Sequence, residues 1–273
     1  MTLRISVIVA TYNWPEALAA VLRALREQDE APLEVLIADD GSRDDTRDLV
    51  EREARRFPVP LRHIWHDDTG FRLAAIRNKA IAASQGDYVV QLDGDILVHS
   101  AFVRDHRMSA RRGWWVQGSR AMIGEAQTRR CLAAERLVVG PFSAGIHNRL
   151  NGVRVPALSR FVRGASDPHV RIRGCHMAFW RDDLLRVNGY NEALEGWGRE
   201  DNELAARLAN AGVRRRNLKF RAVAWHLYHA ERSQASVGRN QGILEQTQRD
   251  RLVRCTRGVD QYIDAAIESE RRG

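Results

Sequence analysis

Lysine is almost missing from this chain. Of 43 basic residues only Lys79 and Lys219 are lysines. The arginine excess reflects either a compositional bias or a use in gripping planar oxyanions such as phosphate and carboxylate. Cysteine is scarce too, with Cys131, Cys175 and Cys255 far apart and odd in number. With no C-x-x-C pair, the pattern argues against a disulfide frame or a structural zinc site and for a reducing cytoplasm. No apolar run approaches the roughly 20 residues of a membrane span. Residues 1–10 are too short for a signal peptide, and a polar turn follows them instead of a small-residue cleavage site. Internal repeats and low-complexity tracts are also lacking.

What is present is a 273-residue chain, 44% hydrophobic and 29% charged, enough for a real core and against general disorder. The net charge of +8 is unevenly placed. Residues 1–100 carry 12 basic and 17 acidic groups, 101–175 carry 14 and 4, and 176–273 carry 17 and 14. The middle segment therefore holds more than the whole excess. A nucleic-acid binder should carry its basic groups in its motifs, so no nucleic-acid partner is expected.

The first hundred residues alternate strand and helix signals. Strands are expected at 4–10, 33–38, 61–65 and 88–92, with helices at 15–28, 44–56 and 72–84 between them. Such alternation with short connections means an α/β fold, a mixed and mostly parallel sheet covered by helices. Ligands then sit beyond the carboxyl ends of the strands, so the turns at 11–14, 39–42 and 93–95 should converge on one crevice. Residues 1–98 read as one half and 99–230 as the other half of a single domain, with 231–273 a C-terminal helical extension. Later helices are expected at 100–112, 127–137, 182–187, 200–211, 240–255 and 259–271, with strands near 114–117, 175–180 and 221–226. Residues 140–168, rich in glycine and proline, read as a long loop.

Four groups of residues could carry chemistry. Asp39 and Asp40, closing the second strand, could accept hydrogen bonds from a nucleobase or ribose, or could merely form a turn. Asp93-Gly94-Asp95 ends a buried strand, where two carboxylates could hold a divalent cation beside a diphosphate. In Glu195-Gly196-Trp197-Gly198-Arg199-Glu200-Asp201, glycines present an indole and an acidic pair falls at a helix N-terminus. That position favours the ionised form and suits a general base, although a core tryptophan with a capping acid fits as well. His226 and His229 could share one metal or be ordinary buried histidines. His63, His66, Asp67 and Asp68 suggest a loop near a nucleotide without a defined role.

Taken in order, these motifs resemble the inverting family 2 glycosyltransferases of GT-A fold. The resemblance runs through Val7-Ile8-Val9-Ala10-Thr11-Tyr12-Asn13, Asp39-Asp40-Gly41-Ser42, Gly70-Phe71 with Arg77-Asn78, and Asp93-Gly94-Asp95. The second half, from Arg173-Gly174-Cys175-His176 through Gly196–Asp201 to His226 and His229, resembles the C-terminal region of β-1,4-galactosyltransferases and bacterial chondroitin-polymerase-like domains. The resemblance makes residues 1–98 the donor-binding half and 99–230 the acceptor-binding and catalytic half of the domain. Thr11, Tyr12 and Asp39 would then hold the uracil and ribose of a UDP-sugar, with Asp40, Arg77, Asn78 and Asp93 nearby. The resemblance implies Asp95, His229 and, with less definition, His226 as ligands of Mn²⁺ or Mg²⁺. Trp197 would pack on the sugars, Glu200 would bond one, and Asp201 would take the acceptor proton. The expected product is a β-glycoside of a glycan or lipid-linked acceptor in bacterial surface polysaccharide or lipopolysaccharide. Such an acceptor would bear anionic groups, and segment 101–175 would meet it or the inner membrane face. A nucleotidyltransferase making NDP-sugars is the competing enzyme, but residues 10–15 contain no glycine for its phosphate loop.

Overall fold

The computed structural model describes residues 2–162, 172–230 and 237–264. Its centre is a seven-stranded sheet in the order β10-β6-β9-β4-β1-β2-β3. Here β1 is Ile5–Thr11, β2 Glu34–Asp39, β3 Leu61–Trp65, β4 Tyr88–Asp93, β6 Trp114–Gly118, β9 His176–Trp180 and β10 Arg214–Leu218. Neighbours run parallel except β9, which is antiparallel to both β4 and β6. The fully buried β1 and β2 are near-continuous apolar runs, the pattern of strands covered on both faces. Their pleat divides two cores. Val7, Val9, Val35 and Ile37 join Leu18, Val21 and Leu22 of α1 (Pro15–Arg26) on one side. Ile8 and Leu36 join Ile76 and Ile81 of α3 (Leu73–Ala83) on the other. The second helix, α2, covers Asp44–Ala54.

A second, four-stranded sheet, β5-β11-β7-β8, caps the carboxyl ends. Its strands are short: β5 Ile96–Val98, β7 Ala121–Ile123, β8 Ile146–His147 and β11 Ala224–His226. The remaining helices are α4 Phe102–Ser109, α5 Glu125–Ala133, α6 Arg181–Arg186, α7 Glu200–Asn210 and α8 Val237–Arg249. The expected long loop at 140–168 is in part structured. It contains β8 and two 3-10 turns at Arg149–Gly152 and Pro156–Phe161, while its residues from 163 on lie outside the described ones. Of the last expected helix, 259–271, residues beyond 264 also lie outside them. No helix among the described residues is long and apolar enough to cross a membrane.

Candidate active site

The carboxyl ends of β1, β2 and β4 open into a cleft of about 1200 Å³. It is lined by Thr11, Tyr12, Asp40, Arg77, Asp93, Asp95, Trp197, Glu200, Asp201, His226 and His229. Two expected residues are not there. Asn78 is fully buried, its amide bonding both backbone groups of Tyr190 (2.8 and 2.7 Å) and the Glu192 carboxylate. It clamps a loop and lies outside the lining of the cleft. Asp39 is also fully buried, accepting from the Ser42 amide (2.8 Å) and pairing with His63 (2.9 Å), while Asp40 pairs with His66 (2.8 Å). These pairs give His63 and His66 a role the sequence left open: His63, within β3, and His66, just after it, fasten β3 and its exit loop to the end of β2.

One end of the cleft gathers metal-type donors. The antiparallel pairing of β5 with β11 sets His226 opposite Ile96, and the Leu227 amide donates to the Asp95 carbonyl (3.0 Å). His226 Nε2 thereby lies 3.6 Å from Asp95 Oδ1, and His229 Nε2 3.3 Å from Asp95 Oδ2. One ligand atom from each residue falls within 4.8 Å of the others. His229 Nδ1 lies 2.7 Å from the Ala230 carbonyl, which can accept a hydrogen bond from it and orient the ring with Nε2 toward Asp95. A carboxylate with two imidazoles so gathered is a donor set that fits Mn²⁺. Burial, with Arg120 and His229 adding to it, pushes His226 down to about 4, so its ring is neutral at pH 7. Gly94 is required for close approach, because a Cβ there would lie 2.8 Å from the Ala10 carbonyl that its amide bonds.

The other end is carboxylic. Gly196, Gly198 and Arg199 all adopt positive φ (74°, 109° and 77°), turning the chain sharply into α7 and leaving Trp197 39% exposed. Glu200 accepts from the Gly198 amide at 2.9 Å. Burial, with the charge of Asp201 beside it, pushes Glu200 up to about 7, and burial raises Asp201 as well. Asp201 Oδ1 accepts from Arg77 (3.1 Å) and from the Tyr190 hydroxyl (3.3 Å), which in turn accepts from Gln91 (2.8 Å). Oδ2 lies where a Cβ on residue 174 would come within 1.8 Å, so only glycine at 174 leaves Asp201 its place.

Arg77 joins the two ends. Fully buried, it bonds Asp93 (2.9 Å) as well as Asp201 and lies 5.1 Å from the Tyr190 ring centre. Burial opposes its charge, yet Tyr190, Asp201, Asp93 and Glu200 outweigh that and hold it above its ordinary value. It is therefore an organiser of the site. Sequence reasoning missed Tyr190, Gln91 and Arg120. Arg120, between β6 and β7, enters the cleft with one amino group 2.9 Å from Cys175 Sγ, and its Nε is buried without a partner among the described residues. The thiol is pushed up to about 12 by burial and is no nucleophile. The lone signal for Arg120 was a Gly-Ser-Arg turn after a strand.

Comparison with known proteins gives this arrangement a class. A family model for glycosyl transferase family 2 matches residues 6–152, over half of the chain. The chain belongs to that family and is a glycosyltransferase. A second model, described as the N-terminal domain of galactosyltransferase, matches residues 163–230. Chondroitin synthase of Escherichia coli is 26% identical over 238 residues, 81% of this chain and 34% of that protein. Validoxylamine A glucosyltransferase of Streptomyces hygroscopicus subsp. limoneus is 27% identical over 228 residues, 77% of this chain and 48% of that one. The chain thus spans between a third and a half of these relatives. Among solved structures, a mannosyltransferase from Pyrobaculum calidifontis in complex with GDP-Man and Mn²⁺ matches with TM-score 0.58 and 19% identity, covering 100% of this chain and 76% of that one. S. aureus TarS 1–349 in complex with UDP-GlcNAc matches with TM-score 0.61 and 15% identity, covering 97% and 71%. The GT-A fold expected from the motifs is the fold of these structures.

Proposed function

We propose that the protein transfers a sugar from a UDP-sugar to a hydroxyl of a glycan or glycolipid acceptor with inversion, forming a β-glycosidic bond. The observation that carries this reading is one cleft lined by both the Asp95–His226–His229 donor set and the Glu200–Asp201 pair, with Arg77 bonding Asp93 and Asp201. Asp95, His226 and His229 would hold the cation, and Mn²⁺ or Mg²⁺ bound there supplies positive charge against the diphosphate. Thr11, Tyr12 and Asp40 line the floor where the nucleoside would lie. Asp201, with Oδ1 committed to Arg77 and Tyr190, offers Oδ2 to the acceptor hydroxyl. As the oxygen–carbon bond forms, the proton passes to Asp201 and the anomeric bond to phosphate breaks, its electron pair leaving with UDP. Arg120 faces that developing charge, and Trp197 offers an indole face to a sugar. A product in surface polysaccharide or lipopolysaccharide suits the basic segment 101–175, which would meet an anionic acceptor or the membrane face that carries it.

The test is a panel of UDP-Gal, UDP-Glc, UDP-GlcNAc, UDP-GalNAc and UDP-GlcA assayed for Mn²⁺-dependent UDP release by the wild type and Asp201→Asn. One donor should stand out, and the variant should keep UDP binding by calorimetry while losing transfer. A near-normal rate in Asp201→Asn would remove it as the base.

A further inference from the structure

Arg199 is costly where it stands. It initiates α7 with φ 77° and ψ −11°, a left-handed conformation that an arginine side chain disfavours and a glycine adopts freely. Its side chain makes no capping hydrogen bond. A cation at a helix N-terminus also opposes the helix dipole. Its Nε is buried with no partner among the described residues. Such strain persists at binding and catalytic sites when something outside the local backbone depends on it. Arg199 lines the same cleft as Trp197, Glu200 and Asp201, and so does the exposed Arg173.

We infer that Arg199 is an acceptor-recognition residue and that the acceptor presents an anionic group, carboxylate or phosphate, close to the hydroxyl that is glycosylated. The inference rests on the reading of Asp201 as the base, which puts its neighbour Arg199 on the acceptor side. A guanidinium recognises planar or tetrahedral oxyanions through paired, charge-assisted hydrogen bonds, and such a bond would satisfy the buried Nε. On the proposed reading the donor diphosphate is served by other groups of the cleft, Arg120 and the metal-type cluster. Arg199 is therefore free to select the acceptor.

The experiment compares p-nitrophenyl β-glucoside, β-glucuronide and β-glucoside 6-phosphate as acceptors for wild type, Arg199→Gly and Arg199→Lys, with the best donor and Mn²⁺. The wild type should favour one charged acceptor over the glucoside at least tenfold in kcat/KM, and which one it favours separates carboxylate from phosphate. Arg199→Gly should lose that preference through acceptor KM, keep its affinity for UDP, and melt no lower than the wild type. Arg199→Lys should recover part of the preference. Lack of any preference in a wild type that binds UDP with Mn²⁺, or a preference surviving in Arg199→Gly, overturns the role. So does a rise in donor KM in Arg199→Gly, which would move the residue to the donor side. Failure of the wild type to bind UDP with Mn²⁺ would instead sink the donor reading beneath it.

Discussion

Glu200 is the clearest place to test the electrostatics of the cleft. Its carboxyl is 5% exposed and lies beside Asp201, so burial and a like charge hold it at about 7 in place of its ordinary 4.5. A carboxyl whose folded value is raised binds more protons in the folded state than in the unfolded one between those two values. Stability therefore falls as pH rises from about 4.5 to 7 and stays lowered above. At about 1.4 kcal/mol per pH unit, the cost amounts to about 3 kcal/mol at pH 8 and under about 1 kcal/mol at pH 5. Glu200→Gln keeps an oxygen for the Gly198 amide and removes the charge. Urea unfolding without metal should find the variant more stable by about 3 kcal/mol at pH 8, with most of that gain gone at pH 5. A gain equal at both values, or a loss at pH 8, would refute the reasoning. Burial, with the Asp93 carboxylate nearby, also raises Asp201, against the opposing charge of Arg77. The acidic limb of wild-type transfer should therefore lie above the ordinary aspartate range; a limb at or below that range would take Asp201 out of the role of base.

Three further outcomes are expected. Arg77→Met leaves Asp201 and Asp93 without their shared cation and should lower stability by about 3–5 kcal/mol in urea unfolding; a loss below about 1 kcal/mol would show that the buried network matters little. Gly174→Ala places a methyl 1.8 Å from the Asp201 Oδ2 position, so transfer should fall at least about a hundredfold while calorimetric UDP affinity holds, and loss of both together would mean a wider collapse. Arg120→Ala should weaken UDP binding about tenfold with little change in melting temperature, and unchanged UDP affinity would take Arg120 off the diphosphate.

Much of this was legible in the chain, and what was not has physical reasons. The strands β1, β2 and β4 announce themselves as apolar runs that end in turn residues, so the crevice at their carboxyl ends follows from topology. Strand β10 (Arg-Arg-Arg-Asn-Leu) reads as a solvated charge run, yet it is the edge strand beside β6, where arginines blunt an open edge. The short strands β5, β7 and β8 carry too few residues for any period to register. Arg77 and Asn78 look like one motif, but consecutive helix positions point about 100° apart, so the first turns to the cleft and the second to the loop at Tyr190. The meeting of Asp95 with His226 depends on the register of β5 against β11, a tertiary fact that local sequence does not carry. The glycine-like backbone of Arg199 was hidden for the opposite reason, since nothing in its residue type advertises a positive φ.

The central claim is that Asp95, His226 and His229 form a cation site serving a nucleoside diphosphate. Calorimetric titration of UDP into the wild type and Asp95→Ala, each with Mn²⁺ and with chelator, tests it most directly. The wild type should bind UDP at least about tenfold more tightly with Mn²⁺, equivalent to about 1.4 kcal/mol, and Asp95→Ala should show no such gain. Equal UDP affinity with and without Mn²⁺ in the wild type, or an undiminished gain in Asp95→Ala, would contradict the account.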